Sequence, residues 1–172
     1  MLSKSSKIAM VLPTPAEVDL FTMSFGALNY RSSTAFTSGK EAYEVAIRQQ
    51  FDFFVIRMEM TDMNGAILVQ KLRETGNYGQ EVHLFVCDKL DPRILNVLNE
   101  FDINYVLVKP LNKQTVSAKI QHVLQTEAAL PEFDQRYREC RSAFNSSMFE
   151  MAEELAKNLL TRNPNNEKIE IL

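Results

Sequence analysis

The sequence predicts an α/β fold, a doubly wound five-stranded parallel sheet followed by a C-terminal helical hairpin. Three observations carry this. Five short apolar runs recur through residues 1–126, each stopped by Pro, Gly or polar turn residues. A segment of helical period follows each run. Beyond residue 126 no strand-like run recurs before the last few residues, and the pattern is helical.

Lys7–Leu12 (KIAMVL) reads as a buried strand, ended by Pro13 and Pro15. Thr14 stands where a helix N-cap belongs and Pro15 at the favoured first helical position. Val18, Phe21, Phe25 and Leu28 then form one apolar face. Tyr30–Phe36, rich in Ser and Thr, predicts a half-exposed second strand. Ser38 caps a helix expected over about Gly39–Gln49, with Ala42, Val45 and Ala46 inward.

Phe51–Ile56 is the strongest strand signal, and Glu59–Gly65 is a polar loop with a turn at Asn64-Gly65. Ile67, Leu68 and Leu72 carry the next helix, closed by Gly76 and Gly79. Val82–Cys87 is the fourth run. Asp91-Pro92 opens a helix whose inner side is Ile94, Leu95, Leu98 and Phe101. Tyr105–Val108 is the fifth strand, ended by Lys109-Pro110, and Asn112 caps a helix that aligns Val116, Ile120, Val123 and Leu124. Five βα units with right-handed crossovers give a flavodoxin-like sheet of strand order 2-1-3-4-5.

Glu127–Phe133 contains Pro131 and reads as a linker between a domain over residues 1–126 and a helical extension over 134–172. Helices are expected over Phe133–Asn145 and Met148–Asn163, broken at Ser146-Ser147 and stopped by Pro164 and Asn165-Asn166. Lys168–Leu172 turns apolar without a cap, which predicts a parent chain that continues.

The composition, 45% apolar and 24% charged over 172 residues, is that of a folded globular chain. Residues 1–126 carry 13 basic and 13 acidic side chains, and residues 127–172 carry 6 and 9, so the net charge of −3 lies on the extension. No basic recognition helix is visible, which argues against nucleic acid. No apolar run approaches the roughly 18–20 residues of a membrane span. Met1–Lys7 leads into too short an apolar stretch for a secretory signal. Cys87 and Cys140 have neither metal nor redox spacing, which suits a cytoplasmic protein.

The first 126 residues resemble the CheY-like receiver domain of bacterial response regulators. The resemblance rests on the order of the five βα units, on MEMTDMNG at Met58–Gly65 after the third strand, and on Lys109-Pro110 after the fifth. In that family two acidic residues after strand one and an Asp ending strand three hold Mg²⁺, a hard cation that takes oxygen ligands. The Asp accepts the phosphoryl group, the Lys neutralises charge, and a Ser or Thr ending strand four binds the phosphoryl oxygens.

Carried over residue by residue, this chain departs from the pattern. Leu12 and Pro13 stand where the acidic pair belongs, Arg57 at the phosphoacceptor position and Cys87 at the Ser/Thr position. Val106 occupies the aromatic switch position, beside Tyr105, and Lys109 is retained. A guanidinium is a permanent cation without a nucleophilic lone pair. Two like unit charges about 4 Å apart repel by roughly 4 kcal/mol at an effective dielectric of 20, so Mg²⁺ is not expected to bind. The resemblance therefore implies a pseudo-receiver, non-phosphorylatable and not an enzyme, acting as a protein-interaction module. Its implied partners are histidine kinases, response regulators or cyclic-di-GMP enzymes. A homodimer through Asp91–Phe101, Tyr105–Val108 and Asn112–Thr126 is a further expectation.

Two readings of the degenerate pocket stay open. Arg57 and Lys109 at one mouth suit a phosphate, sulfate or acidic metabolite. Alternatively Arg57 pairs with Glu59, Asp62 or Asp88, with Glu17 and Asp19 as further acids nearby. Lys109 beside Cys87 would favour a thiolate, while a plain buried thiol is the other reading. His83 and His122 have no Cys or carboxylate at ligand spacing, so no metal site is expected. Ser147, Phe149, Ala152, Leu159 and Pro164 are similar in spacing to the second half of a tetratricopeptide (TPR) repeat, whereas Arg136, Glu139 and Cys140 depart from its first half.

Overall fold

The computed structural model describes residues 2–162. Five strands, β1 (Ile8–Val11), β2 (Ser33–Phe36), β3 (Phe53–Arg57), β4 (Val82–Cys87) and β5 (Tyr105–Val108), form one parallel sheet of order β2-β1-β3-β4-β5. Helices α1 (Pro15–Ala27), α2 (Gly39–Ala46), α3 (Gly65–Glu74), α4 (Pro92–Glu100) and α5 (Lys113–Ala128) make the crossovers. This is the fold that the alternation of apolar runs and helical periods predicts.

Strands β1, β3 and β4 are buried along their whole length because both sheet faces are covered, which is why they read as continuous apolar runs. One face packs Phe54, Ile56 and Phe85 against Ala42 of α2, Leu68, Val69 and Leu72 of α3 and Leu98 of α4. The other packs Met10, Val55 and Leu84 against Phe21 and Phe25 of α1 and Val116, Ile120 and Val123 of α5. Strand β2, on the sheet edge, keeps Thr34 and Ala35 exposed, as its Ser/Thr content implies.

Four helix starts carry side-chain caps. Ser38 accepts from the Glu41 amide, Asp91 from Arg93 and Ile94, and Asn112 from Thr115 within a capping box. Asn64, read in the sequence as a turn marker, accepts from the Ala66 amide and starts α3. Thr14 holds the N-cap place of α1 without a side-chain bond, so its carbonyl, which accepts from Glu17 and Val18, performs the closure.

Some expectations are corrected. Helix α2 stops at Ala46, three residues before Gln49. Ile67 is 47% exposed, because the buried stripe of α3 runs through Ala66, Leu68, Val69 and Leu72. Leu95 is 46% exposed, one residue off the line of Ile94, Leu98 and Phe101. Gly76, at φ 75°, follows the end of α3, whereas Gly79 lies in the loop before β4.

Helix α5 continues to Ala128, and α6 (Glu132–Asn145) begins after three intervening residues, so the non-helical join is residues 129–131 rather than Glu127–Phe133. Helix α7 (Phe149–Arg162) folds back on α6 across Ser146-Ser147, with Ser147 at φ 58°. Cys140, Ala143, Ala152 and Leu159 are buried in the hairpin. The expectations for Pro164, Asn165-Asn166 and Lys168–Leu172 lie outside the described residues.

Candidate functional site

The carboxyl ends of β1, β3, β4 and β5 converge on the place where open α/β sheets form their sites. Leu12, just after β1, is fully buried and its amide donates to the Phe36 carbonyl, while Pro13 is exposed. Neither brings a side-chain oxygen. Arg57 is the last residue of β3 and is 6% exposed. The next turn holds it there, with the Met58 amide donating to Val86 and the Gly65 amide to the Met58 carbonyl.

Four charges close this end of the sheet. Arg57 Nη2 donates to Asp88 Oδ2 at 2.5 Å, and Arg57 Nη1 stands 3.8 Å from Glu17 Oε1. Lys109 Nζ pairs with the same Glu17 oxygen and lies 3.7 Å from Asp88 Oδ1. The Lys109–Pro110 bond that follows is cis. Glu17 and Arg57 are buried, Lys109 is half-buried and Asp88 is exposed, so the network runs from core to solvent. The bond from Arg57 holds the Asp88 carboxyl below its ordinary range. Two cations face two carboxylates, and the cluster is neutral as it stands.

The sequence names Asp88 among the partners of Arg57. Glu59 is instead exposed in the loop, and Asp62 caps α2 by accepting from the Gly39 and Lys40 amides. Burial acts to raise the Asp62 carboxyl, but these backbone bonds outweigh it and hold it low. Glu17 is the residue that sequence reasoning undervalued. Pro15 at the start of α1 puts Glu17 in the first helical turn, and that turn lies over the sheet end.

Cys87 is fully buried, and burial pushes its thiol up, with the nearby carboxylate of Glu59 adding to the effect. Of the two readings of Cys87, this favours the plain buried thiol, since desolvation outweighs the opposing pull of Arg57. The donor set does not suit a receiver-type Mg²⁺. Leu12 and Pro13 offer no oxygen, and Glu17 and Asp88 are both committed to Arg57 and Lys109. Among the described residues no group of three or more His, Cys, Asp or Glu side chains stands ready to hold a metal.

Charged residues also gather at the opposite, amino end of the sheet, where α6 packs. Arg138 donates to both Glu127 oxygens at 2.6 and 3.0 Å, and Tyr105 Oη donates to Glu127 Oε1 at 2.7 Å. Arg141 pairs with Asp102, and the Ser146 hydroxyl donates to the Gly76 carbonyl at 2.5 Å. His83, 3.3 Å from Glu81, is buried among these groups, and loss of water pulls its imidazole down to about 4. The sequence reading found no carboxylate partner for His83. Glu81, two residues earlier in the loop that leads into β4, supplies one.

No protein-family model and no curated protein matches the chain. Among solved structures, the chemotaxis response regulator CheY4 of Vibrio cholerae is 21% identical with a TM-score of 0.63, over 69% of this chain and 98% of that one. A CheY-like receiver domain protein from Methanospirillum hungatei JF-1 is 16% identical with a TM-score of 0.62, over 74% and 99%. The BeF3-activated DrrB receiver domain is 16% identical with a TM-score of 0.60, over 70% and 98%. These likenesses show the CheY-like fold of the sheet and its helices.

Proposed function

We propose that this chain is a non-phosphorylatable pseudo-receiver that works as a protein-interaction module in two-component-type signalling. The observation that carries the reading is the Arg57 guanidinium at the end of β3, bonded to Asp88 and facing Glu17. A receiver needs a nucleophilic carboxylate and a metal at this place. Here the position holds a cation, and its charge is already balanced from within the chain.

The closed network supports binding through one constitutive conformation. Receiver switching needs a group that pairs with Lys only after phosphorylation, whereas Lys109 is paired from the outset with Glu17. Tyr105 is likewise held at the start of β5 by Glu127, which Arg138 clamps in turn, and Val106 has no hydroxyl or ring to move. The anion-sensor alternative is less supported, because both cations already have carboxylate partners.

Residues 1–126 would form the receiver unit and the hairpin a second, TPR-like surface. Partners would be histidine kinases, response regulators, cyclic-di-GMP enzymes or a second copy through α4, β5 and α5. No helix among the described residues is long and apolar enough to cross a membrane, and the cytoplasm is the proposed location.

The test is capture of partners by the tagged full-length protein, with and without Mg²⁺ and acetyl phosphate, together with its intact mass. The expected result is an unchanged mass and the same signalling protein retained in both conditions. Covalent phosphate, or a monomer that retains no such protein, would overturn the proposal.

A further inference from the structure

Helices α6 and α7 form a groove of about 190 Å³, lined among the described residues by Arg136, Leu155, Asn158, Leu159 and Arg162. Leu155 and Leu159 belong to the small apolar cluster around Cys140 that holds α7 on α6. The charged residues of this lining are both arginines. Their side chains are 52% and 70% exposed, which puts them at its rim. Each is paired with a carboxylate of α6, Arg136 with Glu139 at 3.3 Å and Arg162 with Glu132 at 3.2 Å. Exposed pairs of this kind contribute little, and a guanidinium has five N–H donors, so each arginine can take a second carboxylate.

The described residues end at this groove, because Arg162, the last residue of α7, is part of its lining. The sequence continues as Asn163–Leu172 (NPNNEKIEIL). Pro164 has no N–H and its ring clashes with the preceding helical turn, so α7 does not run on through it. Asn165 and Asn166 are turn-forming residues. Glu167–Leu172 then carries three apolar side chains, Ile169, Ile171 and Leu172, and two carboxylates, Glu167 and Glu170. This is the complement of the groove, leucines for the apolar residues and arginines for the acids. The reach also fits. Leu155 lies roughly 10 Å back from Arg162 along the helix axis, and Glu167–Leu172 spans about that as a helix and about 20 Å when extended.

We infer that the chain turns back at Pro164-Asn165-Asn166 and that Glu167–Leu172 lies in this groove. Its isoleucines pack on Leu155 and Leu159, and its glutamates pair with Arg136 and Arg162. The segment after α7 thereby becomes a third element of the hairpin unit.

NMR of the full 172-residue chain, with ¹³C-labelled Ile and Leu methyl groups, tests this. The expected result is nuclear Overhauser cross-peaks from Ile169 or Ile171 to Leu155 or Leu159. In a mixture of Ile-labelled with Leu-labelled chains these cross-peaks should vanish, because both ends of each contact lie in one chain. Their persistence in the mixture would seat a second copy in the groove and overturn the inference. Their absence from the fully labelled chain would overturn it as well. Glu167→Lys with Glu170→Lys alters the segment alone and leaves α6 and α7 intact. It should lower the cross-peak intensity by about half, through repulsion from the two arginines. Unchanged intensity would remove the charge pairing and overturn the inference too.

Discussion

Arg57 and Asp88 meet at 2.5 Å across the carboxyl ends of two neighbouring strands, one residue closing β3 and the other following β4. The pair is asymmetric: Arg57 is buried, whereas Asp88 is 60% exposed. The buried half of the network is therefore Arg57 with Glu17, and it is there that loss of one partner is felt.

Replacing Arg57 by Ala would leave Glu17 buried with Lys109 as its remaining cation. Removing one member of a buried ion pair costs about 3 kcal/mol, so the urea midpoint should fall accordingly. Arg57→Asp restores the receiver-type residue, yet it should fall further, because three carboxylates would then share Lys109. It should also take up no phosphate from acetyl phosphate, since Leu12 and Pro13 still supply no oxygen for a metal. Denaturation curves and intact mass of both variants check this.

Gly65 and Gly26 predict opposite signs for the same substitution. A Cβ at Gly65, the first residue of α3, would lie 2.6 Å from the Arg57 carbonyl oxygen and 2.8 Å from Ile56 Cγ2. Gly65→Ala should therefore destabilise by about 2 kcal/mol through forced displacement of β3. A Cβ at Gly26, inside α1, meets nothing within 4 Å. Gly26→Ala should stabilise by roughly 0.5–1 kcal/mol through helix propensity. Thermal denaturation of the two variants reads both signs.

The sheet was legible because burial on both faces forces continuous apolar runs, and Phe53–Ile56 and Leu84–Cys87 leave little else to fit. Helix rotation was less legible. Ile67 and Leu95 are as apolar as their buried neighbours, and one residue of phase decides which of them faces water. At the site, Arg57, Lys109 and Asp88 follow from strand ends, which sequence locates well. Glu17 is placed in the first turn of α1 by Pro15, but its pairing with Arg57 and Lys109 across the sheet end is tertiary and not written in any local pattern. The pairing of Arg138 with Glu127 depends on how α6 turns back after Pro131, and tertiary packing sets that angle.

Stability should fall as the solution is acidified from about pH 6.5 to about 4. His83 takes up its proton near the ordinary value of 6.5 in the unfolded chain but near 4 when folded, because burial opposes the charge. Between these values the unfolded state binds more protons, so the folded state loses stability as pH falls. It is whole above the upper value, and this residue adds no further loss below the lower one. The difference amounts to about 3 kcal/mol. In His83→Gln this slope should vanish, although a flatter curve could start from lower stability because the stack on Phe54 is lost. Urea denaturation at pH 4.5 and 7 on both proteins measures it. Equal slopes in the two would show that another group carries the acid sensitivity.

The anchor of the hairpin should be Glu127, held between two elements. Arg138 of α6 grips both carboxylate oxygens, and Tyr105 of β5 donates to one of them, while the Glu127 side chain is only 7% exposed. Arg138→Ala leaves that carboxylate without its cation, at a cost of about 3 kcal/mol. Tyr105→Phe removes a single bond to a charged acceptor, at a cost of about 1.5–2 kcal/mol. Because both act on the same carboxylate, their double variant should fall short of the sum by about 1 kcal/mol. The two should also differ in where they act. Loss of Arg138 frees α6 from α5, so limited proteolysis should cut sooner at residues 129–131, which join them. Tyr105→Phe keeps the Arg138 clamp and should leave that cleavage rate near the parent value. Additive costs with unchanged cleavage in Arg138→Ala would mean that Ser146 and Arg141, rather than Glu127, hold the hairpin to the sheet.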